Sequence, residues 1–153
     1  MKTVSAEMLG SIFTQSLQEI ISKVSGFSLE VVSADFDAQF EDYVAFMSLI
    51  SMKGGIIFIS AGELSIRTLC SYMTGTPDEE ITKADLEDVL SEFVNMTAGN
   101  AKLQLNDTEF MYKLSTPLVI NGRDLSIATK KNVNVVSRTL SNGDISVKLR
   151  VVY

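Results

Sequence analysis

The chain contains no histidine, no tryptophan and a single cysteine. Without histidine there is no Ser-His or Cys-His nucleophile pair and no imidazole ligand for a metal. Cys70 stands alone, so it forms no internal disulfide and no cysteine zinc cluster, and a thiol enzyme built on it would lack its usual base. Only two prolines occur in 153 residues, and no linker or low-complexity tract divides them. Length and the 46% hydrophobic content therefore describe one globular domain spanning 1–153. Basic residues are scarce, 13 against 19 acids, for a net charge of −6. That balance repels polyphosphate backbones and anionic bilayers, so neither nucleic acid nor a membrane surface is an expected partner. Apolar runs are short, as in Ile56-Ile57-Phe58-Ile59, where a membrane helix needs about 20 residues. The N-terminus carries no apolar signal core, and the expected location is the cytoplasm. Carboxylates, amides, hydroxyls or an oxygen-held metal are left to carry any chemistry.

Apolar pairs at helical spacing, from Met8/Leu9 to Val24, predict a helix over 5–25, with Ser5 at its start and Gly26 past its end. Strands are predicted at 28–36, 43–51 and 55–60, the last two joined by a glycine-containing turn. Ser60 and Glu63 have capping-box spacing and predict a helix near 61–74. A loop or short acidic turn follows at 76–79. Thr82 opens a second capping pattern and a long helix to about Leu105. Short strands are expected at 109–114, 117–120 and 125–130. The strands 132–140 and 145–153 flank Asn142-Gly143, which predicts a tight two-residue hairpin. The fold class is α/β of the α+β kind, a mostly antiparallel sheet packed against two long helices.

Charge is concentrated in one place. Residues 78–92 hold seven acids and one base, so their charge of −6 equals that of the whole chain. Acids near a helix N-terminus offset the helix dipole, which accounts for Asp85 and Glu87 but less well for Glu92, about three turns in. At about 100° per residue, Leu86, Val89, Leu90, Phe93, Met96 and Thr97 form the core face of the long helix. Asp88, Glu92, Asn95 and Gly99 form a narrow stripe opposite, at spacings of four, three and four. Asn100 falls toward the core, where a buried amide bonded to backbone is expected. A carboxylate and a carboxamide on a convex helix make a poor small-molecule pocket. They suit insertion into another protein's site, where the carboxylate can meet a lysine and the amide can hold a water. Positioned water is much of what phosphoryl-transfer chemistry requires.

The run Asp88-Val-Leu-Ser-Glu92-Phe-Val-Asn95, continued by Met96-Thr-Ala-Gly-Asn100-Ala, resembles the signature of the CheC/CheX/FliY phosphatases of bacterial chemotaxis. That signature is Asp or Ser, three residues, Glu, two residues, Asn, then about 22 residues and Pro, and here Pro117 follows Asn95 after 21. CheC-like members carry two such motifs and CheX-like members one. Helix 1 has Gln18-Glu19-Ile20-Ile21-Ser22 without the amide, so the chain resembles the CheX type. The resemblance implies the CheC/CheX-like sandwich and a protein phosphatase, a hydrolase acting on the aspartyl phosphate of a CheY-like response-regulator receiver domain. It implies that Asn95 orients the attacking water and that Glu92 pairs with the receiver's lysine. Asp88 takes a supporting or docking role. No cofactor is expected on this chain, because the receiver supplies Mg²⁺. A homodimer is also implied, with a free strand edge of the C-terminal hairpin as one physical route.

Two other classes compete. A module of the same fold that binds a receiver without catalysis is the alternative, and the short gap to Pro117 leaves room for it. An oxygen-ligand metal protein built on the 78–92 acids is the other, although Asp78-Glu79-Glu80 lacks the glycine and alternating ligands of an EF-hand loop. A glycosidase-like carboxylate pair fares no better, since Asp88 and Glu92 lie on a convex face.

Overall fold

The computed structural model describes residues 1–34 and 39–153. Helix α1 spans Ala6–Ser25, with the Ser5 hydroxyl accepting from the Met8 N–H and Gly26 closing the helix at φ 79°. The other helices are α2 (Glu63–Thr74) and α3 (Lys83–Leu105), separated by a 3-10 turn at Asp78–Glu80. Strands are β1 (Glu30–Ser33), β2 (Tyr43–Ile50), β3 (Ile56–Ala61), β4 (Lys113–Leu114), β5 (Leu118–Asn121), β6 (Val135–Ser141) and β7 (Ser146–Val152). Of the strand expected at 28–36, Asp35 and Phe36 lie outside the described residues.

All strand pairings are antiparallel, in the order β1-β6-β7-β3-β2-β4. β5 also pairs with β2, at Tyr43–Phe46, while β4 takes Leu49 and Ile50. The two short strands thus act as one interrupted edge along β2. Alternation sorts the sheet's faces. Tyr43, Ala45 and Met47 of β2, Ile57 and Ile59 of β3, and Val147, Leu149 and Val151 of β7 enter the main core. There they meet Leu9, Phe13, Leu17 and Ile21 of α1 and Leu86, Leu90 and Phe93 of α3. A smaller cluster of Phe40, Val44 and Phe58 occupies the opposite face, against Phe46, Leu125 and Ile127.

Four expectations are corrected, three of them by tertiary contacts. Ser60 does not cap α2. It continues β3, is buried, and its hydroxyl accepts from the Glu41 N–H at 2.8 Å. Gly62 is the N-cap residue instead, and Asp42 accepts from the Glu63 N–H at 2.9 Å. Residues 125–130 are not a strand. They run over the outer face, where Leu125 and Ile127 cover the aromatic cluster and Ser126 makes one bridge to Gln39. The hairpin at Asn142-Gly143 is not a two-residue turn, because Ser141 pairs with Ser146 and only Gly143 has a positive φ. The Asn142 carboxamide oxygen accepts from the Asp144 and Ile145 N–H groups at 2.9 and 2.8 Å, closing a longer loop. Finally, the C-terminal hairpin offers no free edge, since β1 covers β6 and β3 covers β7. The sheet's edges are β1 and β4/β5.

Tyr112 ties the segment after α3 back to the helix. Its ring is buried and stacks on Phe13, and its hydroxyl donates to the Ala98 carbonyl at 2.7 Å. Burial raises its phenol above the ordinary value of 10.0. A folded-state value raised this way leaves the stability contribution intact below about pH 10 and removes it as pH rises further, because the unfolded tyrosine ionises first. Alkaline titration should therefore destabilise the protein from about pH 10 upward. Tyr112→Phe should blunt that loss while costing about 1 kcal/mol at neutral pH, read by urea unfolding.

Candidate functional site on the third helix

The helix that carries the motif begins with a closed capping box. The Asp85 N–H donates to the Thr82 hydroxyl at 3.2 Å, and the Thr82 N–H donates to the Asp85 carboxylate at 2.8 Å. The Thr82 N–H first, and the Thr82 hydroxyl beside it, hold the Asp85 carboxyl below its usual range. The stability it adds is present at neutral pH and fades as pH falls into the carboxylate range. Thr82→Ala should cost about 1 kcal/mol, and lower the thermal midpoint by about 2–4 °C. An unchanged midpoint would show that packing alone sets where α3 starts.

Beyond the cap, α3 sorts its residues as its periodicity predicts, with a wider buried arc. Leu86, Val89, Leu90, Phe93 and Thr97 are buried, joined by Val94, Ala98 and Ala101. Met96 is only partly buried against the core. The arc is wide because α1, α2, β2, β3 and β5 all touch this helix. On the opposite side Asp88 and Glu92 are exposed, while Asn95 and Gly99 are partly exposed. Side chains three and four apart on a helix stand about 5–6 Å from one another at Cβ, so Asp88, Glu92 and Asn95 form one continuous polar edge. Among the described residues, none of these three side chains has a hydrogen-bond or ion-pair partner. Asp78, by contrast, lies 3.9 Å from Arg67.

Lateral ties hold the helix that bears this edge. The Asn121 amide of β5 donates to Glu87 at 3.1 Å on one flank. The Asn100 amide donates to Glu19 of α1 at 2.9 Å on the other. The second contact corrects the expected backbone-bonded amide: Asn100 is only partly buried, and its partner is a carboxylate. Glu19, Asn121 and Tyr112 carry no local signal, because their partners lie 81, 34 and 14 residues away. Pro117 immediately precedes β5, where a residue without an N–H suits an edge strand.

The surface is convex. Clefts open elsewhere, one lined by Gln18, Glu19, Ser22 and Leu29 beside α1, another by Ile50, Met52, Lys102 and Met111, and neither includes Asp88, Glu92 or Asn95. Among the described residues no three acidic or thiol groups converge into a cluster that could hold a metal. Among the described residues no helix is long and apolar enough to cross a membrane.

Two helical glycines differ in their reasons. A Cβ built on Gly10 would lie 3.1 Å from the Arg138 guanidinium and 3.3 Å from Val136, a tight fit against β6 that glycine relieves. A Cβ on Gly99 would meet nothing within 4 Å, and its φ is not positive. Glycine inside a helix costs about 0.5–1 kcal/mol against alanine, and no internal contact of α3 offsets that cost at Gly99.

The profile of the family described as chemotaxis phosphatase CheX matches residues 43–141. Comparison with curated proteins finds no match. Among solved structures, a CheC-like superfamily protein from Shewanella sp. PV-4 superposes with a TM-score of 0.84 at 20% identity, covering 97% of this chain and 98% of that one. Chemotaxis protein CheX from Vibrio vulnificus gives 0.81 at 19% identity, with 94% of each chain covered. A chain of a CheX-CheY-BeF3-Mg²⁺ complex from Borrelia burgdorferi gives 0.79 at 16% identity, covering 92% of this chain and 94% of that one.

Proposed function

The chain belongs to the CheX family of chemotaxis phosphatases, and we propose that it hydrolyses the aspartyl phosphate of a CheY-like receiver domain by inserting the Glu92/Asn95 edge of α3 into the receiver's active site. The observation that carries this reading is the edge itself. An acid and an amide one turn apart, on a convex helix held from both flanks, have no partner among the described residues. Groups of this kind are satisfied by water or by a second protein, and the Borrelia complex pairs a protein of the same fold with CheY.

Each role follows from the chemistry of the side chain. The Asn95 carboxamide both accepts and donates, so it can hold a water by two bonds and fix its approach in line with the scissile phosphorus–oxygen bond. Glu92 pairs with the receiver's lysine and sets the register one turn away. Asp88, a further turn back, extends the negative surface that meets the receiver's lysine and metal, and speeds encounter more than it adds affinity. This chain contributes no metal ligand in this reading. Mg²⁺ belongs to the receiver and neutralises charge on the phosphoryl oxygens there. The working unit is proposed to be a cytoplasmic homodimer, with β1 and β4/β5 as the strand edges that remain for self-association.

The test is phosphate loss from a phosphorylated CheY-type receiver with Mg²⁺, measured with and without this protein. Acceleration at substoichiometric protein supports the hydrolase. Tight binding of the activated receiver without acceleration would assign the chain instead to the binding-only alternative. Neither binding nor acceleration across the host's receivers would overturn both.

A further inference from the structure

The stripe on α3 does not end at Asn95. Gly99 lies four residues further and Leu103 four beyond that, on the same side of the helix. Gly99 has open space where its Cβ would be, unlike Gly10, where a Cβ would press on Arg138 and Val136 of β6. Leu103 is 71% exposed, a large apolar side chain left in water on the helix that carries the motif. A lone exposed leucine is ordinary. A bare backbone turn followed by an apolar knob, in line with an unpartnered acid and amide, is a sequence of features that one docked surface would use together.

The constraint is steric and rests on the receiver docking proposed above. For Asn95 to reach a water beside a phosphoryl group, α3 must press against the rim of the receiver's active-site cleft. At about 1.5 Å rise per residue, the turn that meets the rim next is centred near Gly99, about 6 Å along the axis. A side chain there would hold the rim away and withdraw Asn95 from the water. Helix propensity favours almost any other residue at this position. Nothing packed around Gly99 within the fold requires glycine, so a clearance requirement imposed from outside the chain explains it.

We propose that Gly99 is a clearance position at which backbone of the loop bordering the receiver's phosphorylation cleft seats against α3, setting how deeply Asn95 inserts, and that Leu103 is the apolar contact just beyond it. Gly99 is then a positioning residue and not a catalytic one. The docking face extends from Asp88 to Leu103, about 22 Å along the helix. It is acidic at one end and apolar at the other, so the receiver surface it fits is basic beside the cleft and apolar past the bordering loop.

This assigns opposite signs to two measurements on the same variants. Gly99→Ala and Gly99→Leu should raise the thermal midpoint by a few degrees, as alanine and leucine favour helix. Both should lower dephosphorylation, Gly99→Ala about tenfold, as overpacking by one methyl implies. Gly99→Leu should lose about 10²-fold, the scale of a 1 Å misplacement, with kcat falling as well as KM rising. Leu103→Asn should weaken binding of the beryllofluoride-activated receiver several-fold and leave kcat in place.

Wild-type kcat, KM and receiver affinity in Gly99→Leu would overturn the inference. A change confined to self-association, read by sedimentation, would also overturn it, because the occupant would be a second copy of this chain. If the wild-type protein binds the activated receiver but does not accelerate phosphate loss, the hydrolase reading fails alone. The clearance is then judged by whether Gly99→Leu weakens that binding tenfold or leaves it intact. If the wild-type protein binds none of the host's receivers, the inference falls together with the reading it rests on.

Discussion

Replacing Asn95 with alanine is expected to remove nearly all acceleration of phosphate loss from the receiver, about 10²-fold or more in kcat, while leaving complex formation largely intact. The magnitude follows from what one pre-positioned hydrogen-bonding group contributes in a water-excluded site, about 10²–10³-fold on removal. Binding is expected to persist because, in the proposed mode, the amide would contact a single water while the docking area would be spread along α3. Misfolding cannot imitate this result. Asn95 is partly exposed and has no bond among the described residues, and asparagine inside a helix is less favourable than alanine by roughly 0.5 kcal/mol, so the variant should unfold at the same temperature or slightly higher. Asn95→Asp sharpens the point: it keeps an acceptor, loses the amide donor and brings a negative charge next to the phosphoryl oxygens, so it should be no better than alanine. Unimpaired dephosphorylation by Asn95→Ala would sink the site assignment.

The second large effect is expected at Glu92, and it should appear in affinity. Truncating one partner of a charge pair buried in an interface typically costs 2–5 kcal/mol, because the other charge is left desolvated. Glu92→Ala should therefore weaken binding of a beryllofluoride-activated receiver by about 30-fold or more. Glu92→Gln keeps a hydrogen-bonding group without the charge and should fall between the two. The difference between wild type and Glu92→Ala should shrink as salt rises if the pair stays near water, and persist if docking excludes it. Calorimetric titration at two ionic strengths measures both. Equal affinity for wild type and Glu92→Ala at low salt would mean that register is set elsewhere on α3, and would leave Asp88 and the Gly99–Leu103 stretch to supply it.

Much of this molecule is legible locally. Helices α1 and α3 are long, periodic and capped by adjacent residues, Ser5 and Thr82, so their ends are encoded within a few residues of where they occur. The β2–β3 pair is equally plain, with continuous apolar character and a glycine turn between. The stripe of Asp88, Glu92 and Asn95 needs only helical spacing to be drawn, because all three residues sit on one element.

The expectations that failed share one cause, with one exception. Apart from the Asn142-Gly143 loop, which Asn142 closes on adjacent residues, each was decided by a partner far away in the chain. Ser60 has capping-box spacing to Glu63, yet pairing on both flanks, with Val44 of β2 and Lys148 of β7, draws it into β3 and leaves the cap to Asp42. Leu125 and Ile127 alternate like a strand, yet an uncovered patch of Phe40, Val44 and Phe58 takes them as a lid. The C-terminal hairpin is recognisable as a hairpin, but nothing within it records that β1 and β3 occupy both of its flanks.

The sequence alone determined the elements with local codes, the antiparallel α+β character and the motif with its family resemblance, because periodicity, caps and i,i+4 neighbours are short-range properties. Tertiary structure alone decided which strand edges stay free, how α3 is held from both sides by Glu19 and Asn121, and that Gly99 faces open space while Gly10 does not. Those are properties of pairs separated by tens of residues, and chain packing sets them.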